Sequence, residues 1–454
     1  GSSGSPTLNA LNSNEKRPFP WLRHAWFVLL VLGIGWMLRD SLSRRNSDPA
    51  PKPAAAVGEP SREAIDSEGE RASILEAEPP RQEASASTPG LARVNRILEL
   101  TSLPGALKGQ VLLTFQSRSD LTEFLRLSQG LNLSVTGPWK DGLALRVGFE
   151  SPEGLQHAID EMGDNAPQLG ANFLVSPPLP SPPAPAGGDG TIPFENAVLS
   201  SIGIDTATDR SNWGEGITVA VIDTGIADHP VFRAGQVSHV DLVNDGGSLN
   251  GHGTAIASLI GGQQGRFSGV SPGASLLDVR IAGSDGFGDS YLLAQGIQEA
   301  MDRGAKVINI SMGSYGDSEL VSSTVSEAVR RGITVVAAVG NDGSDVKAWP
   351  AAYPGVISVS GVDATGALAY FSNGGNPTLA APAVGVPSAF VLNGEPGYGI
   401  GNGTSQAAAL VSGSAAVMLN RGLTPKIALP QQAKPFPGRR MEVGAGMLHL
   451  PPTK

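Results

Sequence analysis

Five short apolar runs rich in β-branched residues govern the second half of this chain: ITVAVID (217–223), SLLDVRI (275–281), KVINISMG (306–313), GITVVAAVG (332–340) and GVISVSGV (355–362). They are continuous, as expected of strands buried on both faces in a parallel sheet. Helical stretches lie between several of them. The expected fold class is therefore α/β, a doubly wound and mostly parallel sheet with helices on both faces, over residues 191–454. In such a sheet a functional site lies outside the carboxyl ends of the strands. Glycines between the apolar runs, part of a total of 59, fit tight strand–helix turns.

Three motifs fall at such places. In VIDTG (221–225), Asp223 ends a strand and Gly225 turns the chain away. Taken alone, an aspartate there is as readily a turn cap. In NGHGTAIASLIGG (250–262), His252 stands between Gly251 and Gly253 at the start of a small-residue helix. Glycines on both sides let other backbone approach the imidazole. In GNGTSQAAALVSGSAAVML (401–419), Ser405 opens a long apolar helix, where developing negative charge is favoured. A plain Ser N-cap would not account for the Gly-Asn-Gly-Thr before it or the alanines after it. Together the three supply a nucleophile, a base and an orienting acid. Ser405 would attack, His252 would carry the proton, and Asp223 would fix the imidazole. The chain order Asp, His, Ser differs from the orders of chymotrypsin-like enzymes and α/β-hydrolases.

These blocks resemble those of the subtilisin-like serine peptidases, the subtilases. VIDTGI, GHGTAIASLI and GTSQAAALVSG match the family's three signatures, and GVSPGASLLDVRI (269–281), VINISMG (307–313), AAVGNDG (337–343) and YFSNGG (370–375) match intermediate ones. The resemblance covers about residues 191–450. It implies that Asn341 donates its side-chain amide to the oxyanion of the tetrahedral intermediate; by itself, an Asn before Asp-Gly would read as a turn residue. It implies that substrate binds as an extended strand, with Ser311, Met312 and Gly313 on one edge, Gly286, Phe287 and Gly288 on the other, and Gly340 beside Asn341. It implies that no cofactor is required for chemistry; many members bind structural calcium, but no acidic loop here assigns one. The chain departs from the family at Ala409 and Leu410, where Pro and then His are usual. TPKIALP (424–430) stands where a further helix is expected.

The preceding sequence divides into blocks. Residues 1–18 hold a tag remnant, GSSGS, and an N-terminal tail. Residues 19–39 read as a transmembrane signal anchor, contacting the bilayer. Its uninterrupted apolar part is about 14 residues, extended toward the ~20 of a span by Phe19 to Leu22 with Arg23 snorkelling. Trp21, Trp26 and Trp36 suit the interface. Arg39, Asp40, Arg44 and Arg45 follow in place of a cleavage site. Residues 40–90, rich in Pro, Ala, Ser and Glu, read as a disordered linker. Residues 91–176 read β-α-β-β-α-β, with strands at 109–115, 131–135, 142–149 and 168–175 and helices at 119–130 and 151–162, the second capped by Ser151. That order is ferredoxin-like, and subtilases commonly carry such a propeptide, which assists folding and lays its C-terminal tail in the active site. A blander reading is an accessory domain that is never removed. Residues 177–190 are a Pro/Gly-rich linker, exposed and suited to cleavage.

The expectation is a serine endopeptidase, made as a membrane-anchored zymogen, autoprocessed, and placed outside the cytoplasm. Alternatives are a catalytically silent subtilase fold used for binding and an esterase with the same triad. The intact Asp223, His252, Ser405 and Asn341 count against the first. With 0 cysteines, a disulfide scaffold, thiolate zinc and a cysteine nucleophile are excluded. The net charge of -10 and the lack of a basic face make nucleic acid an unsuitable partner.

Overall fold

The computed structural model describes residues 89–139, 142–178, 191–205, 207–392 and 394–451. The expected anchor at 19–39 and nearly all of the 40–90 and 177–190 linkers lie outside them. Among the described residues no helix is long and apolar enough to cross a membrane.

The first ordered block runs α1 (Pro89–Ser102), β1 (Ala106–Thr114), α2 (Arg118–Leu127), β2 (Leu133–Thr136), β3 (Ala144–Phe149), α3 (Pro152–Glu161) and β4 (Gln168–Val175). The strands lie antiparallel in the order β2-β3-β1-β4. One face carries the helices over a core of Ile97, Leu113, Phe124, Leu145, Leu155 and Ile159. Sequence reasoning missed α1, placing its first residues in the linker. It also overstated Ser151, which precedes α3 in extended conformation but makes no side-chain cap. The other face, through Leu112, Ala144 and Val175, packs with Tyr291 into the core of the large domain. Arg146 pairs with Asp289 there.

The large domain is built on β5 (Thr218–Asp223), β6 (Val237–Asp241), β7 (Ser275–Arg280), β9 (Val307–Ile310), β10 (Thr334–Ala338), β11 (Ile357–Val362) and β12 (Leu379–Pro382), with β8 the two-residue strand Gly288–Asp289. The seven longer strands form one sheet in the order β12-β11-β10-β9-β5-β7-β6, every pair parallel. Buried side chains alternate between two cores. Val219 and Val221 face α4 (His252–Gly261) and α7 (Thr404–Asn420). Ala220 and Ile222 face α5 (Ser290–Asp302) and α6 (Glu319–Arg330). This two-sided burial is why the runs are continuous. By the same alternation Asp223 shares a face with Val221, toward the helices that carry His252 and Ser405.

Two expected runs end early. KVINISMG is strand only to Ile310, because Ser311–Gly313 leave the sheet and Gly313 pairs with Ser176 instead. GITVVAAVG likewise ends at Ala338. TPKIALP opens α8 (Pro425–Gln432), a helix despite Pro430. The edge strand β6, the strand β12 and the hairpin β13 (Val386–Leu392) with β14 (Glu395–Gly401) were not foreseen.

β6 carries a pairing of its own. His239 Nδ1 lies 2.9 Å from Asp278 Oδ2 on β7. Burial pushes the Asp278 carboxyl above its usual range, and the bond to Asp278 raises the His239 imidazole. A raised imidazole stabilises the fold fully below its unfolded value of about 6.5, and this is lost as pH climbs through the folded value. The raised carboxyl adds a cost of ionisation in the same direction, entering above about 3.9. His239→Ala is therefore expected to destabilise by roughly 1–2 kcal/mol at pH 6, modest because the imidazole is half exposed. The difference should shrink at higher pH. Denaturant melts at pH 6 and pH 9 check this; an equal gap at both rules it out.

Candidate active site

Asp223 is the last residue of β5 and is fully buried. Its Oδ1 accepts from the Thr224 backbone N–H at 2.8 Å and lies 2.7 Å from His252 Nδ1. With the proton on Nδ1, that nitrogen donates to the carboxylate and Nε2 is left as a base. Among the described residues the buried Asp223 Oδ2 has no hydrogen-bond partner, so the carboxylate is held through one oxygen. His252 begins α4. Its helix can start this close to β5 only because of its glycines. Gly251 has φ 94°, and a Cβ there would meet the Val391 carbonyl at 2.7 Å; a Cβ on Gly253 would meet the Gly225 carbonyl at 2.5 Å. Thr224 ties the two elements, its Oγ1 accepting the Gly253 N–H at 3.1 Å. The strand that carries the acid and the helix that carries the base are thus one packed unit.

Ser405 lies in the first turn of α7 and is nearly buried. Its Oγ donates to the Ser311 carbonyl at 3.2 Å. Among the described residues it makes no hydrogen bond to His252, so the expected contact of nucleophile and base is not formed. Both side chains nonetheless line one cavity of about 390 Å³, with Asn341, Asn250, Gly286, Phe287 and Gln406. His252, Ser405 and Asn341 thus line one cavity, and Asp223 lies behind it, bonded to His252.

Asn341 follows β10. Its Oδ1 accepts from the Thr404 N–H at 2.9 Å and the Thr404 hydroxyl at 2.8 Å. Both oxygen contacts fix the amide orientation, and among the described residues its N–H₂ makes no hydrogen bond. Thr404 was missed, although it precedes the nucleophile in the same motif. Asn373, in the quoted YFSNGG block, was also missed as a support. It accepts from the Asp342 and Ser344 N–H groups and donates to the Val339 and Val346 carbonyls, fixing the turn after Asn341.

The chain's own segment lies between the two stretches expected to be substrate edges. Ser176 and Gly313 exchange backbone hydrogen bonds of 3.2 and 2.9 Å. On the opposite side Leu174 and Val175 pair with Asp289 and Gly288. Pro177 and Pro178 continue into the cavity beside His252 and Ser405. Gly286 and Phe287 line the same cavity, and Phe287 is exposed. Gly340 lines a second cavity of about 360 Å³ with Pro178, Tyr315 and Asp342. The Met312 side chain is buried in the domain core, so what it offers the edge is mainly backbone. Tyr315, unforeseen, bonds Asp342 and accepts from Asn373; burial and Asp342 push its hydroxyl up to about 12. Among the described residues no cluster of three or more His, Asp or Glu side chains could hold a metal ion.

The model of the subtilase family matches residues 214–430. Subtilisin BL of Lederbergia lenta is 36% identical over 226 residues, which cover 48% of this chain and 82% of that protein. A thermostable alkaline protease of Halalkalibacterium halodurans is 37% identical over 227 residues, covering 49% of this chain and 62% of that protein. Among solved structures, fervidolysin from Fervidobacterium pennivorans, a keratinolytic enzyme related to subtilisin, has a TM-score of 0.62 at 24% identity, covering 76% of this chain and 60% of that one. That last likeness is one of fold. With its signature blocks gathered on one side of a parallel sheet, and a relative matched over most of its length, the chain belongs to the subtilase family.

Proposed function

We propose that this protein is a serine endopeptidase that hydrolyses peptide bonds through an acyl-enzyme, using Asp223, His252 and Ser405. The observation that carries it is the convergence of the His252–Asp223 contact at 2.7 Å with Ser405 in one cavity that already receives an extended peptide segment. Ser405 Oγ adds to the scissile carbonyl carbon and its proton passes to His252 Nε2. Asp223 holds the imidazole in the tautomer able to accept it. The oxyanion is met by the Ser405 N–H and the Asn341 amide. His252 then protonates the leaving nitrogen, and water releases the acyl group in the mirror sequence. Two backbone edges favour peptides over simple esters, because an ester cannot supply the full ladder.

The fixed orientation of Asn341 makes a specific demand. Asn341→Leu is expected to lower kcat by ~100- to 1000-fold with little change in KM, the range this loss has in subtilisin. Steady-state kinetics check it, and a change confined to KM counts against the assignment.

Residues 91–176 are read as a ferredoxin-like propeptide and inhibitor. The β2-β3-β1-β4 order and the seating of Ser176–Pro178 support this. The anchor at 19–39, and with it a periplasmic or extracellular peptidase domain, rests on the sequence of that segment. A fluorophosphonate probe tests the central reading. Labelling at Ser405, together with cleavage of a peptide panel, is expected. Neither label nor cleavage after protease nicking of the 177–190 linker would sink it in favour of a silent binding fold.

A further inference from the structure

We propose that Pro178 makes the segment seated at the nucleophile a strap that Ser405 does not readily cut, and that the Ser311 carbonyl is the group that tells this strap from a substrate. The inference rests on the peptidase reading above.

The register follows from the pairing. Ser176 and Gly313 exchange both backbone hydrogen bonds across an antiparallel bridge. In such a ladder the next exchanging pair lies two residues on along one strand and two back along the other. The bridge is an isolated one; carried on in the same register, it would set residue 178 opposite residue 311. There the ladder expects an N–H from residue 178 to the carbonyl of Ser311. Proline has none, so that acceptor is left open by its strand partner.

Ser311 is fully buried, and a buried carbonyl without a donor is costly. The donor it finds is the Ser405 hydroxyl, at 3.2 Å. The same two residues meet again at their other ends, where Ser311 Oγ donates to the Ser405 carbonyl at 3.3 Å. The hydroxyl that should point at His252 is thus engaged by the vacancy that proline creates. A segment with an N–H at this place would fill the Ser311 carbonyl itself. Ser405 Oγ would then be free to reach His252 Nε2 by a rotation about χ1 between staggered wells. Proline also fixes φ near −65°, away from the more extended values of a regular strand. The strap can be held by its bonds to Gly313 and Gly288 while its last residue withholds the contact that arms the nucleophile.

The experiment compares wild type, Pro178→Ala and Pro178→Gly as full chains, following intact mass with time. Both variants restore the N–H, and glycine does so without demanding any particular φ. Cleavage of the bond after residue 178 is expected to be about tenfold faster or more in the variants, the value of one backbone hydrogen bond expressed in rate. In that step Ser405 Oγ bonds to the carbonyl carbon of residue 178, its proton passes through His252 to the leaving nitrogen of Leu179, and water then hydrolyses the ester and restores the hydroxyl. The double variant Ser405→Ala with Pro178→Ala should stay whole at that bond. Self-cleavage of the wild type should fall elsewhere in residues 179–190. Equal rates at the 178–179 bond in wild type and variants overturn the inference. So do variants that stay whole there although Ser405 takes the fluorophosphonate label and peptides are cleaved. Loss of both label and peptide cleavage in every chain would instead bring down the peptidase reading itself.

Discussion

Ser405→Ala should reduce peptide turnover by roughly a million-fold, the size that loss of this nucleophile has in subtilisin, and the purified chain should keep its full length. The substitution is close to a pure removal of the hydroxyl. Ser405 sits in the first turn of α7, nearly buried among Thr404, Gln406 and Ala407. Alanine fits inside the space serine leaves, and its helix propensity is higher. Its backbone N–H, the proposed oxyanion donor, is unchanged. The one hydrogen bond lost by the side chain is that to Ser311, so stability should shift by about 1 kcal/mol at most. Intact mass beside the wild type then separates two cases. A shorter wild type and a whole variant mean that the chain processes itself with this residue. A variant that matures like the wild type would mean that another protease does so, and unchanged peptide turnover would remove Ser405 from the chemistry.

What the sequence disclosed and what it did not follow from where each signal is stored. Strands buried on both faces declare themselves by composition, so β5, β7, β9, β10 and β11 were legible, each to within a few residues at either end. Asp223, His252 and Ser405 were legible because local features surround each: a strand end, a pair of glycines, a small-residue helix. Their mutual distance was not, since it depends on Gly253 meeting the Gly225 carbonyl 28 positions away in sequence. The edge strand β6 was hidden for a different reason. VSHVD has one polar face toward water and His239 turned to a buried Asp278, so it lacks the apolar run that marks its neighbours. The β13–β14 hairpin is partly exposed and glycine-rich, with Ile400 and Leu392 in solvent, and reads as loop. Helix α1 follows directly on a Pro- and Ser-rich stretch and becomes ordered by packing Ile97 and Leu100 beneath the sheet. The engagement of Ser405 by Ser311 could not be read at all. It needs the register of the Ser176 segment against Gly313, 137 positions away in sequence, and register is a tertiary fact.

Asp223→Asn tests the remaining member of the triad, and its effect should be on the order of 10⁴-fold in kcat. One carboxylate oxygen decides the effect. Asp223 Oδ1 receives both the Thr224 N–H at 2.8 Å and the His252 Nδ1–H at 2.7 Å, while Oδ2 has no partner among the described residues. An asparagine has a single acceptor oxygen, and two orientations are open to it. If that oxygen keeps both contacts, the N–H₂ group occupies the unpartnered buried position of Oδ2 and leaves donors unsatisfied. If the amide turns, its nitrogen faces His252 and the imidazole answers by moving its proton to Nε2. In the second orientation the base presents a donor to Ser405 and cannot take its proton. In the first, the tautomer survives but the negative charge that stabilises the imidazolium is gone. Either way the fall should appear in kcat with KM little changed, because Asp223 touches neither substrate edge. Histidine ¹⁵N chemical shifts distinguish the two, reporting whether Nδ1 or Nε2 carries the proton in the variant. A loss of less than tenfold would mean that β5 positions His252 through the Thr224–Gly253 contact alone, and that the carboxylate contributes little to the reaction.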